Sequence, residues 1–440
     1  EFVLKNLLGY VNGHIYYNIN YWYEFLKMLP FYNSNKEFFE AMLSPVKKKG
    51  PEQKMKFSIN PITGFNLAIK LMFPGRANRK FETEYKNLTR RFQEMDLATI
   101  TSVTLINDFQ YLRKQFFNIW GITIINDFRV MISNGLLNSR LSKAQISTNF
   151  KQLISKKIYP ESVKPLIGIR EICKVIETNT LLANLFEEDS KIIWKEINHE
   201  NKSDKELREI RRLLKAYLEN YGERKANELK LEDAKFNENP WEFISLIKNM
   251  LKNKSLLDLP SEKVQNKLEV NGEKIGWIER LIMSQLTQSI YKREEFRLKR
   301  GKVFGHARKV YLELGYRLVK AKKLQTQVDI FYLQDSEIMG EFLKKSPVLK
   351  LYEIVKQRKF LFNKYRDLEM PTRIKTKILS DEVISEQQES SDEPESTVMN
   401  GFTTSMNGVV KGTALVMTEF DLSANFQDCI LVVPKTDPGW

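Results

Sequence analysis

From about residue 77 to about residue 370 one signal dominates the chain: apolar side chains return at three- and four-residue intervals, the period of an amphipathic helix. Leu207, Ile210, Leu214 and Leu218 show it most plainly within Lys205–Asn220, and Gly222 stands where that helix would end. Elsewhere Ile154, Ile158, Val163 and Ile167 are interrupted by Pro160 and Pro165, which divides that stretch into short pieces. No repeat of solenoid length is visible. The expected fold class is therefore mainly α, with one large helical domain or two subdomains whose boundary the pattern does not mark. A chain of 440 residues has room for two or three domains and a sizeable core.

Strand signals gather at the two ends. Asn12-Gly13, flanked by Tyr10-Val11 and Ile15-Tyr16-Tyr17, is a type I′ hairpin pair. An aromatic helix should follow, capped by Asn20 and finished before Pro30, and Ser34 with Glu37 forms a capping box for another. Lys47-Lys48-Lys49-Gly50-Pro51 reads as a basic loop. At the other end, Gly408 to Met417 and Ile430 to Val433, followed by Pro434, read as strand, loop, strand. Some 40 residues are too few to close a core unaided. Residue 1 is Glu and opens straight into Phe2, Val3 and Leu4, so both ends look cut and the chain is expected to be the middle of a longer protein. The expected division is 1–378 as the helical central domain, 379–399 as a flexible acidic linker, and 400–440 as the first strands of an incomplete domain.

Net charge is +15, although seven acidic and no basic residues lie between Asp381 and Glu395. The remainder is more basic still, which suits anionic partners or equally a set of solvated basic faces. Cys173 and Cys429 are the two cysteines, too few and too far apart for a disulfide framework or a Cys-based zinc site. That usage points to a reducing cytoplasm. No stretch has the 18 or so apolar residues of a membrane span, and no membrane partner is expected.

Among residues able to carry chemistry, Arg293, Arg297, Arg300 and Arg308 share one helical face, with Phe304 between them. Arg suits phosphate or carboxylate because its planar fork binds both oxygens and keeps its charge. The ladder either meets phosphate or a docking domain, or forms a salt-bridged face with Glu294, Glu295 and other helices. Gly301 and Gly305 would let this helix bend or pack closely, and Gly315 would cap its end. Asp329-Ile330-Phe331-Tyr332-Leu333 reads as a short strand, followed by a helix Glu337–Lys344 capped by Asp335 or Ser336. His14, His199 and His306 are too scattered for a triad or a metal site. Neither a Walker motif nor Gly-x-Gly-x-x-Gly occurs. The aromatics of the first 130 residues, Trp22, Phe116 and Trp120 among them, would fill a core or line an apolar pocket.

Three blocks carry a resemblance. Gly408–Gly412, then Leu431-Val432-Val433-Pro434 and Thr436-Asp437-Pro438-Gly439-Trp440, resemble the opening of the swivelling phosphohistidine domain of phosphoenolpyruvate-utilising enzymes. Arg293-Glu294-Glu295-Phe296-Arg297, Arg308, Gly315, Asp329–Leu333 and Glu337 are similar to the helical region before that domain. Gly9–Asn18 resembles the exit from their ATP-grasp domain, which would account for residues 1–20. The nearest patterns are pyruvate, water dikinase (phosphoenolpyruvate synthase) and the rifampicin phosphotransferases. The resemblance implies a truncated β/β/α swivelling domain marked by Gly408, Gly412, Thr436, Asp437, Pro438 and Gly439, and a phosphorylatable histidine beyond Trp440. It implies ATP and Mg2+ as cofactors of the full-length parent, with the missing ATP-grasp and phosphohistidine portions and a small-molecule acceptor, pyruvate first, as partners. This fragment would by itself be inactive and contribute no catalytic or metal residue. The alternatives are an antibiotic or small-molecule kinase of the rifampicin phosphotransferase kind, and, ranked last, a basic nucleic-acid-binding or adaptor protein.

Overall fold

The computed structural model describes residues 7–27, 32, 36, 69, 71, 73–141, 164–199, 204–225, 228–252, 276–343, 350–366, 368, 370–371, 374–379, 382–386, 411–417 and 429–433. The fold is mainly α, as the periodicity requires. The chain divides into two compact units, Glu1–Asn60 with Lys350–Val410, and Pro61–Leu349 with Lys411–Trp440.

In the first unit β1 (Leu8–Val11) and β2 (His14–Tyr17) form the expected antiparallel hairpin, Val11 opposite His14. Asn12 and Gly13 sit at φ 46° and 81°, the left-handed pair that a type I′ turn demands. Gly13 is also needed for space, since a Cβ there would lie 2.8 Å from Cβ of Tyr365. Helix α1 (Ile19–Lys27) begins one residue before the expected cap, because the Asn18 carbonyl already accepts the Trp22 amide at 3.1 Å. Trp22 Nε1 donates to the Leu7 carbonyl at 3.1 Å, and its ring meets Tyr17 edge-on at 5.8 Å. The later part of this unit supplies α11 (Leu351–Arg366) and a hairpin of β3 (Lys375–Leu379) with β4 (Glu382–Glu386). Strand β4 therefore occupies the start of the segment read as an acidic linker, and 387–400 lie outside the described residues. Pro30, the Ser34–Glu37 box and the Lys47–Pro51 loop lie outside them too.

The second unit is built on three helices. α2 (Gly75–Gln93), α3 (Ser102–Arg140) and α9 (Trp277–Lys320) pack lengthwise, and at 39 and 44 residues the last two are about 60 Å long. α3 and α9 are antiparallel. Arg317 Nη1 reaches Ser102 Oγ at 3.0 Å, Asn126 Nδ2 reaches the Ser289 carbonyl at 2.8 Å, and Arg140 Nη1 reaches Glu279 Oε1 at 3.0 Å. α2 closes the bundle through Phe81, whose ring meets Trp120 and Phe296 edge-on at 5.6 and 5.0 Å. Thr101 begins α3 properly, its side chain accepting the Thr104 amide at 3.2 Å.

The chain that connects α3 to α9 forms a second helical group: α4 (Lys164–Glu177), α5 (Thr180–Leu185), α6 (Ser190–Ile197), α7 (Lys205–Tyr221) and α8 (Pro240–Lys252). Its core contains the predicted stripe of Ile210, Leu214 and Leu218, with the Tyr217 and Phe243 rings stacked 4.3 Å apart. α7 does end at Gly222. There φ is −63°, and the glycine is needed because a Cβ would strike Asn237.

Three local expectations are corrected. Asp329–Leu333 is not a strand: Asp329–Tyr332 belong to a 3-10 turn, Gln327–Tyr332, where the Thr326 amide and hydroxyl both donate to the Asp329 carboxylate at 3.1 and 2.6 Å. Gly315 does not cap α9, which continues to Lys320; it lies against Gln327 of that turn. α10 runs Asp335–Leu343, so Asp335 is its first helical residue rather than its cap, and Glu337 Oε2 accepts the Gln334 amide at 2.7 Å. Finally β5 (Thr413–Val416) and β6 (Cys429–Val432) pair in parallel, Thr413 opposite Cys429. The rest of the expected β/β/α domain falls outside the described residues.

Candidate functional site

The residues able to recognise charge collect along α9. Gly301, Gly305, Arg308 and Gly315 fall within an arc of about 80° on that helix and are all buried. The described parts of the connection between α7 and α8, 222–225 and 228–239, bring three carboxylates to this face. Arg308 is 2% exposed. Its Nε and Nη2 bind Glu238 Oε1 and Oε2 at 2.5 and 2.6 Å, Nη1 donates to the Leu231 carbonyl, and its guanidinium lies 4.9 Å from the Phe331 ring centre. Glu228 accepts from Arg297 at 3.4 Å, and Glu223 pairs with Lys309 at 3.7 Å. A Cβ at Gly305 would strike the Glu223 carboxylate, so the glycine gives that acid its place against the helix backbone.

The other two ladder residues turn towards α3. Arg293 Nε lies 3.5 Å from Asp127 Oδ1, and burial raises the Asp127 pKa against the pull of Arg293 and Arg300. Arg300 has a buried Nε without a hydrogen-bond partner. The ladder thus stands on one helix as expected, but its members serve different neighbours. Arg308 is enclosed, whereas Arg293 and Arg297 keep side chains about half exposed.

One turn further round, Lys299 Nζ binds both oxygens of Glu82 at 2.6 and 2.5 Å and also Glu295, which takes Lys292 at 2.6 Å. Burial pushes the Glu295 carboxyl up, but the Lys292 and Lys299 hydrogen bonds prevail and hold its pKa at about 2. Lys299 lies over the rings of Phe81 and Tyr85. This network ties α2 to α9.

The histidines stay apart. His14 bonds Asn12 within the hairpin at 2.9 Å, and the His199 carbonyl accepts Arg211 Nη2 at 3.0 Å. His306 packs against Phe92 with ring centres 4.3 Å apart, and neither ring nitrogen has a partner. Burial first, then Lys309 and Lys302, push its pKa down to about 4. Gly412 is exposed before β5, while Gly408, Thr436, Asp437, Pro438 and Gly439 lie outside the described residues. Among the described residues no group of three or more His, Cys, Asp or Glu side chains is arranged to hold a metal ion. No helix among them is long and apolar enough to cross a membrane.

Sequence reasoning missed the partners of the ladder, Glu223, Glu228 and Glu238, and the Glu82–Lys299 link. It also missed a buried polar group on α3, Asn126, Arg129 and Ser133. Their three- and four-residue spacing among Val130 and Leu137 was the available signal.

A search among curated proteins returns no match. Residues 124–298, however, match the family model of the rifampicin phosphotransferase fourth domain. That segment takes in the second half of α3, the layer α4–α8, and α9 as far as Arg293 and Arg297, stopping short of Arg308. Residues 124–298 are therefore similar to the fourth domain of rifampicin phosphotransferase, consistent with a fragment of a phosphoenolpyruvate-utilising enzyme.

Proposed function

We propose that this chain is the scaffold portion of a phosphotransferase in which ATP charges a histidine carrier that then delivers the phosphoryl group to a small-molecule acceptor. The match of 124–298 to the rifampicin phosphotransferase fourth domain carries the reading. In this scheme the paired helices α3 and α9 are a rigid base, and the half-exposed Arg293 and Arg297 offer a docking face to the phosphorylated domain. Guanidinium forks near the rim complement phosphate without committing a buried charge. ATP and Mg2+ belong to the parent protein, and no step is assigned to them on these residues. A chain with only two cysteines, Cys173 and Cys429, goes with a cytoplasmic setting.

Pyruvate is the acceptor implied by the terminal motifs. The matched family favours a bulkier acceptor as the second reading. The complete gene product, incubated with ATP labelled in turn at the β and γ positions, should acquire acid-labile, alkali-stable label on one histidine. Adding pyruvate or a panel of bulky hydroxylated compounds should discharge it. A parent that takes no label from ATP would end the proposal; discharge by pyruvate alone would remove the second reading.

A further inference from the structure

Helix α2 turns two unlike faces. Phe81, Tyr85 and Phe92 are buried and hold it to the bundle. Opposite them, within an arc of about 120°, stand Arg76, Arg79, Lys80, Lys86 and Arg90, with Thr83 and Asn87 between them. All of these residues are exposed. The arc runs for about 21 Å along the helix and holds no carboxylate. Glu82 is turned away to Lys299 and Lys292, and Glu84, at the edge, meets Lys80 at 3.7 Å. Among the described residues Arg76, Arg79, Lys86 and Arg90 make no ion pair; Arg90 reaches only Asn87 Oδ1, at 3.4 Å. Like charges at three- and four-residue spacing repel one another, and an extended polyanion laid along the row would relieve that repulsion.

The character of the row selects the polyanion. No apolar side chain lies in the arc, so the face offers a bilayer nothing to insert. Three of the five cations are arginines, whose planar fork suits phosphate oxygens, and the Asn87 amide is a neutral donor of the kind that meets a sugar–phosphate chain. An aromatic ring completes the surface. Arg91, next to the arc, lies over Tyr111 of α3 at 4.7 Å from the ring centre, and Tyr111 is 46% exposed. A ring in that position can stack with an unpaired base, which neither a lipid headgroup nor an acidic peptide supplies.

We infer that the outer face of α2, from Arg76 to Arg90, together with Tyr111 is a binding surface for single-stranded nucleic acid, with phosphates along the cations and a base against the ring. The surface needs no phosphoryl transfer and is independent of the function proposed above.

The test titrates the full chain into a fluorescent oligothymidylate of about 20 nucleotides, read by anisotropy across a salt series. Affinity should fall with salt at a log–log slope of about −3.5, five contacts at about 0.7 each. Arg79→Gln with Arg90→Gln should reduce the slope to about −2.1 and weaken binding about 25-fold at about 0.1 M salt. Arg208→Gln with Arg212→Gln on α7 removes the same charge from an exposed face shared with Glu219, and should change neither. Tyr111→Leu should weaken binding with the slope unchanged. Absence of binding, equal losses in the two double variants, or full affinity in Tyr111→Leu would overturn the inference. Uptake by phosphatidylserine vesicles in place of the oligonucleotide would overturn it too.

Discussion

Gly315 sets two opposing effects of a single methyl group against each other. It lies inside α9, where alanine should gain about 1 kcal/mol over glycine by reducing the entropy lost on helix formation. A Cβ there would, however, overlap the Gln327 carbonyl oxygen and lie 3.0 and 3.2 Å from that residue's carbon and Cα. The obstacle is backbone, in a 3-10 turn whose Asp329 and Ile330 are each 1% exposed, so it cannot swing aside. Overpacking of this kind costs roughly 1–3 kcal/mol, and a rigid obstacle puts it at the upper end. The net effect of Gly315→Ala should be a loss of about 1–2 kcal/mol. Gly121 on α3 is the internal control, because a Cβ there meets nothing within 4 Å. Gly121→Ala should keep the gain in full. Since a chain of two units need not unfold in one step, amide hydrogen exchange is the suitable assay. Peptides covering Gln327–Tyr332 should exchange about 5–30 times faster in Gly315→Ala, while those covering α3 in Gly121→Ala should slow. Equal or greater protection of the turn in Gly315→Ala would refute the close-contact reasoning.

Further outcomes concern the ion pairs and the histidine. Glu238→Ala strands the enclosed Arg308 charge and should cost about 3–5 kcal/mol; Arg308→Met leaves a carboxylate that is one-third exposed and can hydrate, so it should cost less, and the order is readable by limited proteolysis of residues 222–239. Lys299→Met leaves both Glu82 and Glu295 with Lys292 alone, at 3.6 and 2.6 Å, and should speed exchange in α2 more than in α8. His306 has its folded pKa at about 4 against 6.5 when unfolded, so the unfolded chain binds the extra proton first. Stability should fall as pH drops from 6.5 towards 4, by about 3 kcal/mol in all, and His306→Gln should flatten that window. Glu295 acts lower, its contribution being lost between 4.5 and about 2, so the two curves separate in a pH series of urea midpoints.

Local chemistry was readable where it was self-contained. Asn12-Gly13 defines its turn through backbone preference, and the stripe of α7 defines its buried face through spacing alone. The 3-10 turn was not readable, because Ile330-Phe331-Tyr332 has the composition of a strand and the deciding bonds come from Thr326 and Asp329 outside that triplet. Arg293, Arg297, Arg300 and Arg308 could be placed on one face, yet what each meets depends on chain far away: Glu238 lies 70 residues from Arg308, and Asp127 is on another helix. Arg129, one of four cations on α3 with Arg113, Lys114 and Arg140, looks like part of a solvated edge until the fold closes over it. Burial is a property of the assembled helices: the spacing of Asn126, Arg129 and Ser133 places them on one face without telling that the face is covered.

The lengthwise union of α3 and α9 restricts how this protein can change. Dropping a single residue near the middle of α9 would turn everything beyond it by about 100°. Gly305, Arg308 and Gly315 would then point away from the acidic segment and the 3-10 turn, while Ser289 kept its place beside Asn126. Insertions and deletions should accordingly be tolerated in the connections and excluded from the rods, so that the span between the two ends of the bundle is inherited as a fixed length.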